Sequence, residues 1–290
     1  LFLEILMAEI RPLKGYAGLT DLPCLELSIG ESKVIVSSYG AHVLAYQVRG
    51  HDILWLSKTA VWQNAKAIRG GIPICWPWFG QCPQELSIDN TAKPNHGLVR
   101  TQFWNIANQL IADKELCVTL ELTNIKLPWT DELVSLQYNV ELTDLALTVT
   151  LCCNHTVQQQ AALHSYFTVG NCADSTVLPL PNKFYDKTID GISCTNSDTC
   201  FFTAEIDRIY QDTCESLKLI SDERLININQ SGHDASVVWN PGHDKALLST
   251  DIAPNSWQNF VCVESAKLNL AAAPLNLSQK ILNPFSSHIS

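Results

Sequence analysis

Two side chains could move protons, and both stand where the chain pattern makes them conspicuous. His164 lies in ALHSYF at the end of a strand pattern, and Glu264 follows the wholly apolar run FVCV. Histidine changes charge near neutral pH and so serves as a general acid or base. A lone histidine at a strand end nevertheless more often serves structure. The glutamate is harder to dismiss, because an unpaired carboxylate is expensive to bury. It either emerges into solvent at the strand end or lines a polar pocket, where a base is held rigidly. Asp207, in EIDRIY, is ambiguous, since Arg208 beside it could pair with it at the surface.

The second concentration of chemistry is the stretch 67–100, which reads AIRGGIPICWPWFG, then a polar loop, then PNHGLVR. Arg69, Asn95, His96 and Arg100 fall inside it. Gly70, Gly71, Pro73, Pro77 and Gly80 exclude a regular helix, and the prolines exclude a central strand. An ordered loop held on a scaffold is the expectation, and such loops often carry function. Trp76, Trp78 and Phe79 read in two ways: as core aromatics, or as an apolar wall beside arginines that bind an anion. Guanidinium groups match phosphate or carboxylate oxygens in pairs. A sugar phosphate would use both halves, its C–H faces on aromatic rings and its phosphate on Arg69 and Arg100.

Composition narrows the partners. The net charge is −10 over 290 residues, with no basic run. Nucleic acid and anionic membrane surfaces are therefore excluded as expected partners. The 11 cysteines are odd in number and include no C-x-x-C pair. Several sit in apolar runs, so they read as small buried hydrophobes in a reducing cytoplasm rather than as a disulfide framework. The eight histidines include no close ligand pair, and no metal or cofactor is expected. The first ten residues, LFLEILMAEI, lack a basic start and a cleavage site, and Glu4 and Glu9 interrupt them, so they do not read as a signal peptide. Met7 reads as near a natural start, with the residues before it foreign to the protein. No window approaches the ~18 apolar residues of a membrane span.

The elements that must position these residues are short strands. CLELSI and KVIVSS flank a hairpin turn at Gly30-Glu31, and AHVLAYQV and DILWLS follow. Residues 116–123, 134–142 and 145–153 alternate apolar and polar, the signature of antiparallel sheet with one face buried. Further strands are expected within 156–167, 217–230, 236–240 and 260–264, with an irregular edge at 177–188. Short helices are expected only near 61–66 and 255–258. One all-β domain over residues 1–290 is the reading, with 1–20 an N-terminal segment partly foreign to it. The G-x-S-x-G, P-loop and G-x-G-x-x-G motifs are absent. What remains suffices for proton transfer without a covalent intermediate.

AIRGGIPICWPWFG, NHGLVR, LHSYF, DRIY, VVWNPG and FVCVESA stand in the order found in the D-hexose-6-phosphate mutarotases, the glucose-6-phosphate 1-epimerase branch of the aldose 1-epimerase-like proteins. The chain resembles that family from about residue 25 to about residue 266. The resemblance implies a galactose-mutarotase-like β-sandwich, mostly antiparallel, with a sugar cleft on one sheet. It implies His164 and Glu264 as the acid/base pair, and Arg69, Asn95, His96, Arg100 and Asp207 as substrate-binding residues. Asn95 departs from the commoner residue at its place, though asparagine still donates and accepts. Trp239 is a weaker candidate for the pocket.

Mutarotation then implies that Glu264 takes the anomeric proton while His164, with a raised pKa in the complex, protonates the ring oxygen. Arg69 and Arg100 would hold the phosphate of a hexose 6-phosphate, in a protein expected to be monomeric. Two alternatives stand beside this reading: an aldose 1-epimerase acting on unphosphorylated sugars, and a carbohydrate-binding or sensor protein without turnover.

Overall fold

The computed structural model describes residues 8–87, 92–221 and 224–286. Met7, and with it the reading of the chain's start, lies outside the described residues. The protein is built from three sheets whose strand ladders are antiparallel. The expected all-β sandwich architecture is therefore present. The first sheet is a five-stranded meander in chain order, from Glu9–Tyr16 and Leu19–Ile29 through Ser32–Ser37 and Val43–Val48 to His51–Asp52. Gly30 turns the Leu19–Ile29 hairpin with φ 60°, and Arg49-Gly50 turn the last one with φ 53° and 74°. These are left-handed conformations that two-residue hairpins require.

The nine-stranded sheet holds the alternating segments. Glu115–Lys126, Leu133–Leu142 and Ala146–Val157 pair side by side, so Val118, Val140 and Val149 share one buried row. That row belongs to a main core which also takes Leu27 and Val36 from the meander and Val261 and Val263 from the eight-stranded sheet. A one-residue slip in any of these strands would turn its apolar set outward, which is why the register is firmly set.

The eight-stranded sheet carries the chemistry. Its centre is the strand Phe260–Lys267, nearly all of it buried, flanked by Ala235–Asn240 on one side. On the other side lie two short strands, Ala161–Leu163 and Tyr166–Thr168, both paired to Phe260–Lys267. Val261 and Val263 point into the main core, so Cys262, Glu264 and Ala266 point the opposite way.

Several expected elements differ. Residues 61–66 form no helix, because Asn64 and Ala65 take φ of 60° and 55°. The second expected helix is a 3-10 turn, Ser256–Asn259, and an unexpected helical turn spans Gly242–Leu247. The segment 177–188 is not an edge. Ser175–Leu178 is paired on both sides in the nine-stranded sheet, and Lys183–Asp186 belongs to the eight-stranded one. Pro179 and Pro181 mark the crossing between them. The N-terminal segment contributes the strand Glu9–Tyr16, tied to its neighbour by Arg11 to the buried Glu26 at 2.7 Å.

Candidate active site

Glu264 and His164 meet because of an interruption in the sheet. Between the two short strands the chain breaks its pairing at His164-Ser165, while Ser165 still receives the Val263 amide at 3.2 Å. The His164 amide donates instead to Pro73 and the Tyr166 amide to Gly71, at 3.0 and 2.9 Å. Thus the IRGGIP loop seats the histidine. Gly71 has φ 63°, and a Cβ there would lie 2.1 Å from the Val43 carbonyl oxygen. The buried His42 donates from Nε2 to the Gly70 carbonyl at 2.7 Å and fixes the same turn.

His164 Nδ1 lies 3.3 Å from Glu264 Oε1, in a pair 9% and 1% exposed at the side chain. The contact lacks the alignment of a hydrogen bond, and neither Nδ1 nor Glu264 Oε2 has a hydrogen-bond partner among the described residues. The imidazole stacks on the Tyr166 ring, 4.9 Å between centroids and 8° between planes. Burial is the main cause of both titration shifts. It drives His164 well below the usual histidine range, helped by His96, Arg69 and Arg100, and drives Glu264 well above the usual carboxylate range. The protein alone therefore favours a neutral imidazole beside a protonated carboxyl, not the raised histidine that the proton-transfer scheme starts from.

Around this pair opens a cleft of about 980 Å³ that is lined by each of the seven candidate residues. Arg69 is held as a fork, Nε to Asp251 Oδ2 at 3.0 Å and Nη1 to the Tyr166 hydroxyl at 2.9 Å. Arg100 donates from Nη2 to the Asn95 carbonyl at 2.7 Å. His96 has φ 64°, and a Cβ on Gly97 would lie 1.9 Å from the Trp76 carbonyl oxygen, so this motif packs directly on the aromatic loop. His96 Nδ1 accepts the Gly80 amide at 3.3 Å, which leaves Nε2 as the donor. Burial, with Arg100 and Lys187 nearby, pushes the His96 pKa down to about 3, so this ring stays neutral.

The structure decides two questions that the sequence leaves open. Trp76 and Trp78 are core residues, 0% and 1% exposed. Of the three loop aromatics only Phe79 reaches the cleft, whose apolar wall is completed by Tyr166 and Trp239. The polar QQQ run explains the burial: Gln159 accepts from the Trp76 indole at 2.6 Å and Gln160 from the Phe79 amide at 3.1 Å. Asp207 does not pair with Arg208. Adjacent strand residues face opposite ways, so Asp207 meets Lys187 at 3.3 Å and Lys245 at 3.9 Å, while Arg208 meets Asp186. Burial raises the Asp207 pKa, against the pull of those lysines.

Lys66, Lys187, Lys245 and Asp251 line the cleft and were not singled out from the sequence. In an acidic chain, the arginines and lysines make this cleft a local concentration of cations beside a buried histidine–glutamate pair and an aromatic wall. That combination defines a binding site for an anionic, partly apolar-faced small molecule.

Comparison with known proteins gives the family. The family model described as aldose 1-epimerase matches residues 23–277, and the chain belongs to that family. An Escherichia coli K12 protein named "Putative glucose-6-phosphate 1-epimerase" is 30% identical, with 89% of this chain and 87% of that protein covered. The crystal structure of a "putative mutarotase" from Salmonella typhimurium superposes with a TM-score of 0.83 at 26% identity, covering 95% of this chain and 92% of that one. Galactose 1-epimerase from Lactobacillus acidophilus NCFM shares the fold, with a TM-score of 0.72 at 12% identity over 94% and 98% of the two chains.

Proposed function

We propose that this chain interconverts the α and β anomers of a hexose 6-phosphate, glucose 6-phosphate first, by acid/base opening and closure of the ring. The observation that carries the reading is the buried His164–Glu264 contact of 3.3 Å on the wall of a cleft lined by arginines and lysines. Glu264, as carboxylate, takes the proton from the anomeric hydroxyl. His164 gives a proton to the ring oxygen, the C1–O5 bond breaks and C1 becomes the aldehyde. Rotation about C1–C2 presents the other carbonyl face. On closure O5 attacks C1, His164 recovers the proton from O5, and Glu264 returns its proton to O1.

Arg69 and Arg100 hold the phosphate and so orient the ring. They also explain how His164 gains its proton. Both are among the charges that depress its pKa. A phosphate bound to them cancels that field, and the proton on Glu264 can pass to His164 within the pair. Asn95 and His96 supply neutral hydrogen bonds to the sugar, Asp207 accepts from its hydroxyls, and Trp239 packs on its C–H face. The protein acts as a monomer, and its free thiols fit a reducing cytoplasm. Among the described residues no helix is long and apolar enough to cross a membrane.

The test is anomer exchange of glucose 6-phosphate by NMR saturation transfer, with wild type, Glu264→Gln, and unphosphorylated glucose as control substrate. Acceleration by wild type, mainly on the phosphosugar, is the expected result. Equal acceleration of free glucose would move the reading to an aldose 1-epimerase. Binding without acceleration would move it to a sensor.

A further inference from the structure

Cys262 and Glu264 lie two residues apart on the strand Phe260–Lys267, so their side chains leave the same face. His164 reaches them from the interrupted neighbouring strands. One atom from each, a thiol sulfur, an imidazole nitrogen and a carboxylate oxygen, falls within 4.8 Å of the others, and all three residues are buried. Cys262 has no part in the proton transfers above. We propose that His164, Cys262 and Glu264 form a binding site for a thiophilic divalent cation, Zn2+ foremost, and that an ion held there shuts off the acid/base pair.

The donor set suits that ion. Sulfur, imidazole nitrogen and carboxylate oxygen are the usual zinc ligands, and three of them with one open position is a familiar arrangement. Hard ions such as Mg2+ and Ca2+ favour oxygen ligands throughout and would not be held by a thiolate. Zinc–ligand distances of about 2.0–2.3 Å place ligand atoms roughly 3.3–3.8 Å apart in a tetrahedron. The His164–Glu264 contact already has that length, 3.3 Å. The Cys262 sulfur must close by only about 1 Å.

A second observation points the same way. His164 Nδ1 and Glu264 Oε2 are buried atoms without a hydrogen-bond partner among the described residues. Buried polar atoms are ordinarily satisfied, and an ion held through Nδ1 and Oε1 would satisfy the imidazole nitrogen. His164 and Glu264 line the cleft, which gives the ion an entry path and a fourth position facing solvent or a sugar hydroxyl. Binding releases the thiol proton of Cys262 and any proton on the carboxyl. It occupies the lone pairs that proton transfer needs, so turnover stops while the phosphate-binding residues stay in place.

Metal binding rests on this geometry alone, whereas the inhibition rests in addition on the acid/base reading of His164 and Glu264. The experiment titrates Co2+ and then Zn2+ into the full, metal-stripped chain, following absorbance and glucose 6-phosphate exchange together. One equivalent of Co2+ should give a thiolate-to-cobalt charge-transfer band, Zn2+ should bleach it, and exchange should fall in parallel. Cys262→Ser should lose the band, keep its exchange without metal, and need at least about tenfold more Zn2+ for inhibition, since lesser changes around metal sites already cost 10–100-fold. Cys262→Ala serves if the serine variant does not fold. A double variant at the exposed thiols, Cys194→Ser with Cys214→Ser, should keep both band and inhibition. No band, or one that survives in Cys262→Ser, overturns the site and leaves the epimerase reading untouched. A Cys262-dependent band without inhibition overturns the inhibitory role and the acid/base assignment together.

Discussion

Ser165 and Ser265, the next residues along the chain from His164 and Glu264, are joined through one buried side chain, Gln279. Ser165 donates to Gln279 Oε1 at 2.5 Å, and Gln279 Nε2 donates to Ser265 Oγ at 2.9 Å and to the Val263 carbonyl at 3.2 Å. Gln279 comes from Ala273–Leu282, a strand of the nine-stranded sheet. A strand of the nine-stranded sheet therefore links the residues next to His164 and Glu264 from behind, and a positioning role for it can be tested. Gln279→Leu leaves buried groups unpaired, at about 1–3 kcal/mol each, so the denaturation midpoint should fall. In the folded variant kcat should drop about ten- to a hundredfold with KM nearly unchanged, as small misplacements of reacting groups do. A folded Gln279→Leu with wild-type kcat would remove this positioning role.

Glu264 should cost the protein stability at neutral pH. Its pKa in the fold is raised well above the carboxylate value of 4.5, chiefly by burial. A group raised in this way favours the fold fully below its unfolded pKa, and that contribution is lost as pH rises through the folded value. Glu264→Gln removes the titration. The variant should melt higher than wild type near pH 7, and its advantage should vanish as pH falls below 4.5. His164 is depressed instead, so it penalises the fold as pH falls below 6.5 in both proteins. Thermal melts of the two proteins across pH measure the difference. A lower melting point for Glu264→Gln at neutral pH contradicts the burial argument.

Phosphate should raise the pKa of His164. Arg69 and Arg100 are among the causes that hold it down, and an anion shared by them reduces their field. Inorganic phosphate carries the charge without the sugar and isolates the effect. Following the His164 ring signals by NMR across pH should show an upward shift on adding phosphate, absent in Arg69→Gln. His96, pushed to about 3 partly by the same arginines, should stay neutral throughout the range where enzymes are assayed. An unchanged His164 titration with phosphate demonstrably bound would end the idea that the substrate primes its own acid.

Much of the fold was legible because alternation with period two survives in the strands that bury one face, as at Val118, Val140 and Val149. It failed where polar residues belong inside. Ala273–Leu282 hides Gln279 among Leu275, Leu277 and Ile281, and so does not read as a buried strand. Glu9–Tyr16 is an exposed edge strand containing Pro12, with no apolar row to announce it. His164, Glu264 and the arginines were visible through motifs and resemblance, and the cleft brings all of them together. Lys187, Lys245 and Asp251 were not, since each lies in an irregular or short segment where a charge reads as solvated surface. Trp76 and Trp78 left two readings open, and the core one holds. Their neighbours allowed a ligand wall beside that core place, and what the sequence could not show is that the distant Gln159 and the Pro94 carbonyl take their indole N–H groups inside the protein.

Arg69 tests the proposed phosphate site most sharply, because that role would depend on shape as well as charge. Nε reaches Asp251 and Nη1 reaches the Tyr166 hydroxyl, so two edges of one planar group are fixed before any ligand arrives. Lysine keeps the charge but cannot span both partners. Arg69→Lys should therefore lose charge-assisted bonds to the phosphate worth about 1.5–3 kcal/mol, which is roughly ten- to a hundredfold in KM. Tyr166 also stacks on His164, so loosening its hydroxyl should lower kcat as well, by a smaller factor. Asp251→Asn should show the same pattern more weakly, since the amide oxygen still accepts from Nε. Exchange assays with glucose 6-phosphate and free glucose separate the effects, because the KM change should appear only with the phosphosugar. A matching KM rise for free glucose would place Arg69 at the sugar ring and send the phosphate to Lys187 and Lys245.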